Sequence, residues 1–113
     1  MADPRIDFIE LPSGETPAMQ AFYGSAFGWA FTAFGPSYAC TMTGDVDIGF
    51  QADAEERTTA ILPAIRVDDL EAALADVERA GGTISRPIFA FPGGRRFHFT
   101  DPAGNELAAY QGD

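Results

Sequence analysis

The feature that most constrains this chain of 113 residues is that it repeats itself. Residues 8–31 laid over residues 62–85 bring two strand–helix patterns together without a gap, and Gly28 falls on Gly82. Residues 44–51 laid over 104–111 bring Gly44 onto Gly104, Phe50 onto Tyr110 and Gln51 onto Gln111. Few residues are identical, so shared pattern and shared length carry the repeat. A chain written twice from one unit predicts two like βαβββ modules. Module one runs from about 5 to 51, a polar linker (ADAEERTT) covers 52–59, and module two runs from about 60 to 111. The expectation is one domain over residues 1–113.

The local signals agree with that plan. Arg5 to Pro12 alternates as a strand does. Thr16-Pro17 predicts a helix start, with Thr16 as N-cap and Pro17 in the first turn, where its missing N–H costs nothing. Met19, Phe22, Tyr23 and Ala26 give that helix an apolar side, and Gly28 ends it. Trp29 to Phe34, Tyr38 to Thr43 and Val46 to Phe50 read as short strands. In the second half, Ala60 to Val67 is a strand. Asp68 and Glu71 suggest a capping box for a helix whose apolar side is Leu70, Ala73, Leu74 and Val77. Gly81-Gly82 closes the helix, and Thr83 to Pro87, Arg95 to Thr100 and Glu106 to Gln111 supply the remaining strands.

Composition narrows the function. Seventeen acidic residues against seven basic ones leave a formal charge of −10, which disfavours DNA, RNA and anionic membrane surfaces. There is no apolar N-terminal signal core and no run of the roughly 20 apolar residues that a membrane span needs. The expected location is the cytoplasm. The single cysteine, Cys40, excludes an internal disulfide and reads as a small core residue.

Three blocks carry a resemblance: FIELPSGETPAMQAFYGSAFGW at the first strand and helix, VDDLEAALADVERAGG at the second helix, and GGRRFHFTDPAGNELAAY at a closing hairpin with its DPxGN turn. Together they cover about half the chain. In order and spacing they resemble the vicinal-oxygen-chelate (glyoxalase/bleomycin-resistance) superfamily. The resemblance implies an α+β fold in which two βαβββ modules form an open curled sheet, a cup, with helices on the outside. It also implies a small organic molecule held in the cup and a homodimer. Some relatives are metal-dependent enzymes, such as glyoxalase I, extradiol dioxygenases, fosfomycin-resistance thiol transferases and methylmalonyl-CoA epimerase. Others, the bleomycin-binding proteins, use no metal.

In the metal-dependent relatives, four strand positions facing the cup carry His, Gln or Glu. Transferred by spacing from Ser13, Val67 and the two turn glycines, those positions hold Phe8, Ile48, Leu62 and Ala108 here. None offers a lone pair to a divalent cation. One histidine in the chain also leaves no multi-histidine site. The expectation is therefore no metal cofactor at the family positions, and a cup lined by apolar and aromatic groups.

Strand alternation sorts the remaining polar residues. Glu10 shares a face with Phe8. Arg66 shares one with Leu62, and Glu106 and Tyr110 share one with Ala108. Phe97 and Phe99 read as helix-side core, which leaves Arg96, His98 and Thr100 toward the cup. Glu10 is a candidate general base or ligand acceptor, or else pairs with Arg66 or Arg96 or is solvated. His98 is a candidate acid or base, or hydrogen-bonded scaffold. Tyr110 offers a hydroxyl or an aromatic wall. Arg95 and Arg96 follow a Gly-Gly turn and could receive an anion or lie in a solvated loop. Phe89, Phe91 and Trp29 could stack on a ligand, and the segment 89–97 resembles an overhanging loop, a lid or else a hairpin.

Two readings follow. The first is a metal-independent small-molecule binder. The acidic balance favours cationic or neutral ligands for it. The alternative is a small lyase or isomerase that uses Glu10 and His98 for proton transfer, or a metal on a non-family set of Glu10, His98 and Glu106. A protein-contacting component is a third class, for which no residue speaks directly.

Overall fold

In the computed structural model, which describes residues 3–113, the chain is α+β. Its elements are β1 (Arg5–Pro12), α1 (Thr16–Phe27), β2 (Thr32–Ala33), β3 (Tyr38–Cys40), β4 (Asp47–Gln51), β5 (Leu62–Arg66), α2 (Leu70–Arg79), β6 (Thr83–Phe91), β7 (Gly94–Thr100) and β8 (Glu106–Gly112). They fall into two compact units. One is Phe8–Leu62, and the other is Pro63–Asp113 with the chain up to Asp7. The first three residues of β1 thus belong with the second unit, where the Tyr110 hydroxyl donates to Asp7 Oδ1 at 2.6 Å.

The repeat is legible in the strand order. The first unit runs β2-β3-β4-β1 and the second runs β6-β7-β8-β5. In each, the outer pairs are antiparallel, while β1 pairs with β4 and β5 with β8 in parallel. Gly44 and Gly104 hold matching positive φ angles of 83° and 87° in the turns before β4 and β8, a conformation open to glycine without strain.

The two helices start differently from expectation. Thr16 is not the cap of α1. It is the first helical residue and is buried, while Glu15 precedes it in extended conformation without a side-chain cap bond. For α2 the cap is Asp69 rather than Asp68, and its carboxylate accepts from Ala72 N at 3.0 Å. No capping box closes over it, because the third helical position then falls on Ala72, and Glu71 bonds Arg95. Gly28 does end α1 in the left-handed conformation.

The apolar stripe of α2 is buried as its spacing predicts. Leu70, Phe97 and Ala109 form a cluster against which Ala73, Leu74, Val77, Ile84, Ile88 and Phe99 pack. That assigns one face of β6–β8 to the helix. On α1 the expected stripe is only partly covered. Tyr23 stacks on Phe50, but Phe22 remains 61% exposed and Ala26 is exposed. The helix sequence TPAMQAFYGSAF has no charged residue and is apolar on more than one side, so burying one side leaves aromatics outside.

Strand lengths also shift. The segment from Trp29 shortens to the two-residue β2. β6 extends past Pro87 to Phe91, so 89–97 is not an overhanging lid. Phe89 pairs with Arg96, Ala90 with Arg95 and Phe91 with Gly94 across a tight hairpin. Pro87 is tolerated because it lies within the register shift between Arg86 and Phe89, on an end strand of its unit.

Candidate functional site

The polar residues singled out by alternation gather in the second unit, on the face of β5–β8 away from α2. Paired residues of neighbouring strands point to the same face. One row across the strands reads Arg66, Tyr110, Arg96, Phe89. The next reads Ala64, Ala108, His98, Arg86. A third begins with Glu106 opposite Thr100. Leu62 alternates with Ala64 on β5 and is buried.

His98 is at the centre of this face and is 2% exposed. Its Nδ1 lies 3.1 Å from Glu106 Oε2, and Ser85 Oγ donates to the same oxygen at 3.1 Å. A carboxylate only accepts, so the imidazole proton sits on Nδ1. Nε2 then carries the lone pair, and it is buried without a hydrogen-bond partner among the described residues. Burial pushes the His98 pKa below the ordinary 6.5, and the Arg96 charge adds to that, against the opposing pull of Glu106. The side chain is therefore a neutral imidazole near pH 7, with one nitrogen oriented by a carboxylate and the other buried with an unpaired lone pair.

Arginines on aromatic rings surround it. The Arg86 guanidinium lies 3.7 Å from the Phe89 ring centre, and Arg96 lies 5.2 Å from Phe89 and 5.6 Å from Phe91. The Phe89 ring is 5.7 Å from His98, and Phe91 meets Tyr110 edge-on at 6.4 Å. Tyr110 contributes a wall rather than a free hydroxyl, since its proton goes to Asp7 and Arg66 Nη1 approaches the same oxygen at 3.5 Å. Burial and the Asp7 carboxylate raise the Tyr110 pKa, which keeps the phenol protonated. Arg95 departs from expectation. It pairs with Gln111 on the opposite face and bonds Glu71 of α2 through both guanidinium nitrogens.

The first unit carries a second buried carboxylate. Glu10 is 2% exposed, and Tyr38 donates to its Oε1 at 3.2 Å. Glu10 pairs with Gly49 and shares its face with Phe8. A Cβ on Gly49 would lie 2.6 Å from the Phe8 ring and 2.9 Å from the Tyr38 hydroxyl, so the ring lies directly over that glycine.

Two sequence expectations are corrected here. Ile48 pairs with Ile9, so its side chain is on the helix face beside Phe50 rather than on the face of Phe8 and Glu10. The first turn is one residue longer than its repeat partner, and Gly49 rather than Ile48 corresponds to Ala108. Trp29 stacks on Tyr23 at 5.8 Å and on Phe27 at 5.2 Å. Tyr23 in turn stacks on Phe50, so Trp29 extends the helix-side aromatic cluster and does not line the polar face. Arg86, Ser85, Asp7 and Tyr38 escaped sequence reasoning, because only strand register or long-range contact places them.

The four family metal positions thus hold Phe8, Gly49, Leu62 and Ala108. None supplies a donor atom, so these residues do not fit a divalent cation. Among the described residues, no three His, Cys, Asp or Glu side chains form a group able to hold one. No helix among the described residues is long and apolar enough to cross a membrane.

Two units of like topology, each with its own helix between its first and second strands, define a paired-βαβββ protein. The chain belongs to the Glyoxalase/Bleomycin resistance protein/Dioxygenase superfamily, whose sequence model matches residues 5–109. Solved structures share the fold at low identity. A hypothetical protein from Bacillus halodurans superposes with a TM-score of 0.78 at 13% identity, covering 99% of this chain and 96% of that one. Methylmalonyl-CoA epimerase from Mycobacterium tuberculosis gives 0.71 at 14% identity, with 96% and 87% covered. A Mn(II)-bound glyoxalase from Novosphingobium aromaticivorans gives 0.69 at 21% identity, and there this chain covers 94% of itself but 38% of the longer protein. No curated protein sequence matches significantly.

Proposed function

We propose that this protein binds a small organic molecule, without a metal, on the face that carries His98. The observation that carries the reading is the His98–Glu106 pair. A buried, neutral imidazole is fixed through Nδ1, and its Nε2 is left unpaired beside Phe89. An unsatisfied buried polar atom costs about 1–3 kcal/mol, which a ligand donor at Nε2 would recover. Phe91, the Tyr110 ring and the half-buried arginine stems supply apolar contact around it. Fragment binding followed by NMR tests this. Saturable hits that shift the His98 side chain, weaken about tenfold in His98→Gln and are indifferent to a chelator support it. One tightly held metal per chain, with binding lost on chelation, would overturn it.

The same geometry favours a second reading, that of a lyase or isomerase. An imidazole oriented by a carboxylate is a competent general base. Exchange of a ligand carbon-bound proton for solvent deuterium, lost in His98→Gln, selects this reading over simple binding.

The reading includes a homodimer in the cytoplasm. The uncharged helix α1, with Phe22, Phe27 and Trp29 exposed, suits contact with a second copy in a chain whose net charge of −10 makes other surfaces repel. Sedimentation of wild type and Phe22→Ser/Phe27→Ser tests the assembly, with a shift to monomer expected for the variant.

A further inference from the structure

Strand β6 carries one residue more than β7 where the two pass His98. Ile84 pairs with Phe99 and Arg86 with His98, so two steps on β6 answer one on β7. Ser85 is the extra residue of a β-bulge, a device that re-aims a side chain where regular alternation cannot. Ile84 packs against the helix-side cluster of Leu70, Phe97 and Ala109. Arg86 takes the place opposite His98, and the Ser85 hydroxyl donates to Glu106 Oε2 at 3.1 Å. Two consecutive residues of β6 thus serve the polar face, which a strand without the bulge does not allow.

The oxygen that Ser85 bonds is the one that lies 3.1 Å from His98 Nδ1. The three residues come from three neighbouring strands: Ser85 from β6, His98 from β7 and Glu106 from β8. The Glu106 carboxylate therefore spans the middle strand and is held from its far side. Its own position does not hold it. The Glu106 side chain is 35% exposed and follows directly on the turn that closes between Asp101 and Asn105, whereas the ring it serves is 2% exposed. A long side chain with water on one side loses rotamer freedom when it stays in one place. A second donor on the same oxygen offsets that loss.

We propose that Ser85 is a positioning residue that sets the hydrogen-bond polarity of the His98 face: by holding Glu106 Oε2 against Nδ1, it keeps the single imidazole proton on Nδ1 and leaves Nε2 an acceptor. A neutral imidazole carries its proton on either nitrogen, and the partners of the ring choose which. Burial and the Arg96 charge keep the ring neutral, but they do not choose the nitrogen. Ser85 does so through Glu106. The face then takes a ligand that offers an O–H or N–H at Nε2, and disfavours one whose polar atom there is a carbonyl or ether oxygen, because two lone pairs would meet. This rests on the binding reading above and deepens it by naming the residue that sets which ligands the face accepts.

The test is ¹⁵N NMR of the His98 side chain in the free protein near pH 7. Wild type should show the proton on Nδ1. Ser85 is exposed, so Ser85→Ala should keep a folded amide spectrum. In that variant the ratio of the two tautomers should move toward Nε2–H by about three- to tenfold, the worth of one ordinary hydrogen bond. Ser85→Thr, which keeps the hydroxyl, should hold the wild-type ratio. In a Glu106→Ala background, Ser85→Ala should have no further effect. An unchanged ratio in Ser85→Ala, a Ser85→Thr variant that behaves as Ser85→Ala, or an equal shift without Glu106 would overturn the role of Ser85 and leave the binding face standing. A wild-type ring with its proton on Nε2 would overturn the proposal and the binding reading together.

Discussion

The two halves of this chain share a topology and differ in how they use it. In the second unit, α2 is capped by Asp69 and seats its apolar stripe on Phe97 and Ala109, which frees the opposite strand face for His98, Glu106 and the arginines. In the first unit, α1 lacks a side-chain cap, carries no charge and leaves Phe22 and Phe27 more than half exposed. Its other face holds a buried carboxylate, Glu10, bonded by Tyr38, with the Phe8 ring over Gly49. One pattern therefore yields a well-anchored half that presents polar groups and a half whose helix still has aromatic surface to cover. A helix buried on its apolar side can be polar elsewhere, whereas a helix apolar on several sides needs more than one packing partner.

That contrast can be broken by substitution. The largest effect is expected for Phe97→Ala, which empties a fully buried site and should cost about 3–5 kcal/mol in urea unfolding. Phe22→Ala, on the exposed side of α1, should stay within about 0.5 kcal/mol in the monomer. Equal losses would mean that the two helices are anchored alike.

Gly49→Ala comes next. The repeat partner Ala108 carries its methyl without difficulty, but at Gly49 the same methyl meets the Phe8 ring, and overpacking of this kind costs about 1–3 kcal/mol. A neutral result in thermal unfolding would mean that the Phe8 ring does not rest over Gly49, and the proposed correspondence between the modules at that position would fail.

The pH dependence sharpens the comparison further, because only the second half has a histidine. Its folded pKa lies below the unfolded value of 6.5, so the unfolded chain binds the proton first as pH falls. Stability from His98 is fully present above 6.5 and is lost progressively below it, by no more than about 1.4 kcal/mol per pH unit. The difference between wild type and His98→Gln should show this fall, and a difference that grew toward acid pH would contradict it. The smallest effect is at the helix starts. Asp69→Ala should cost about 1 kcal/mol, while Glu15→Ala, which removes no cap bond, should be silent.

Much of this was legible in the sequence, and the exceptions share a cause. The alternation of β7 and β8 placed Arg96, His98, Glu106, Ala108 and Tyr110 on one face, and the spacing of α2 predicted its buried stripe, because both are local periodicities. Ile48 was misplaced since a single extra turn residue reverses every side chain after it, and turn length is not a periodic signal. Trp29 was misread because an exposed ligand platform and a helix-side stack need the same residue. The length of β6 was hidden by Pro87, which ends most strands but is accommodated at a register shift on an end strand. The capping box failed because the cap is Asp69 rather than Asp68, which puts Ala72 at the third helical position and leaves Glu71 to bond Arg95.

The account's central claim is that His98 is a neutral imidazole with its proton on Nδ1 and an unpaired Nε2 on the binding face. The most direct test is a ¹⁵N NMR titration of the His98 side chain in the free protein. The account predicts one protonated nitrogen, Nδ1, one nitrogen with a lone pair, Nε2, and a midpoint below 6.5 that rises toward 6.5 when arginine charge is removed in Arg96→Gln. A doubly protonated ring at pH 7, or a proton on Nε2, would contradict it.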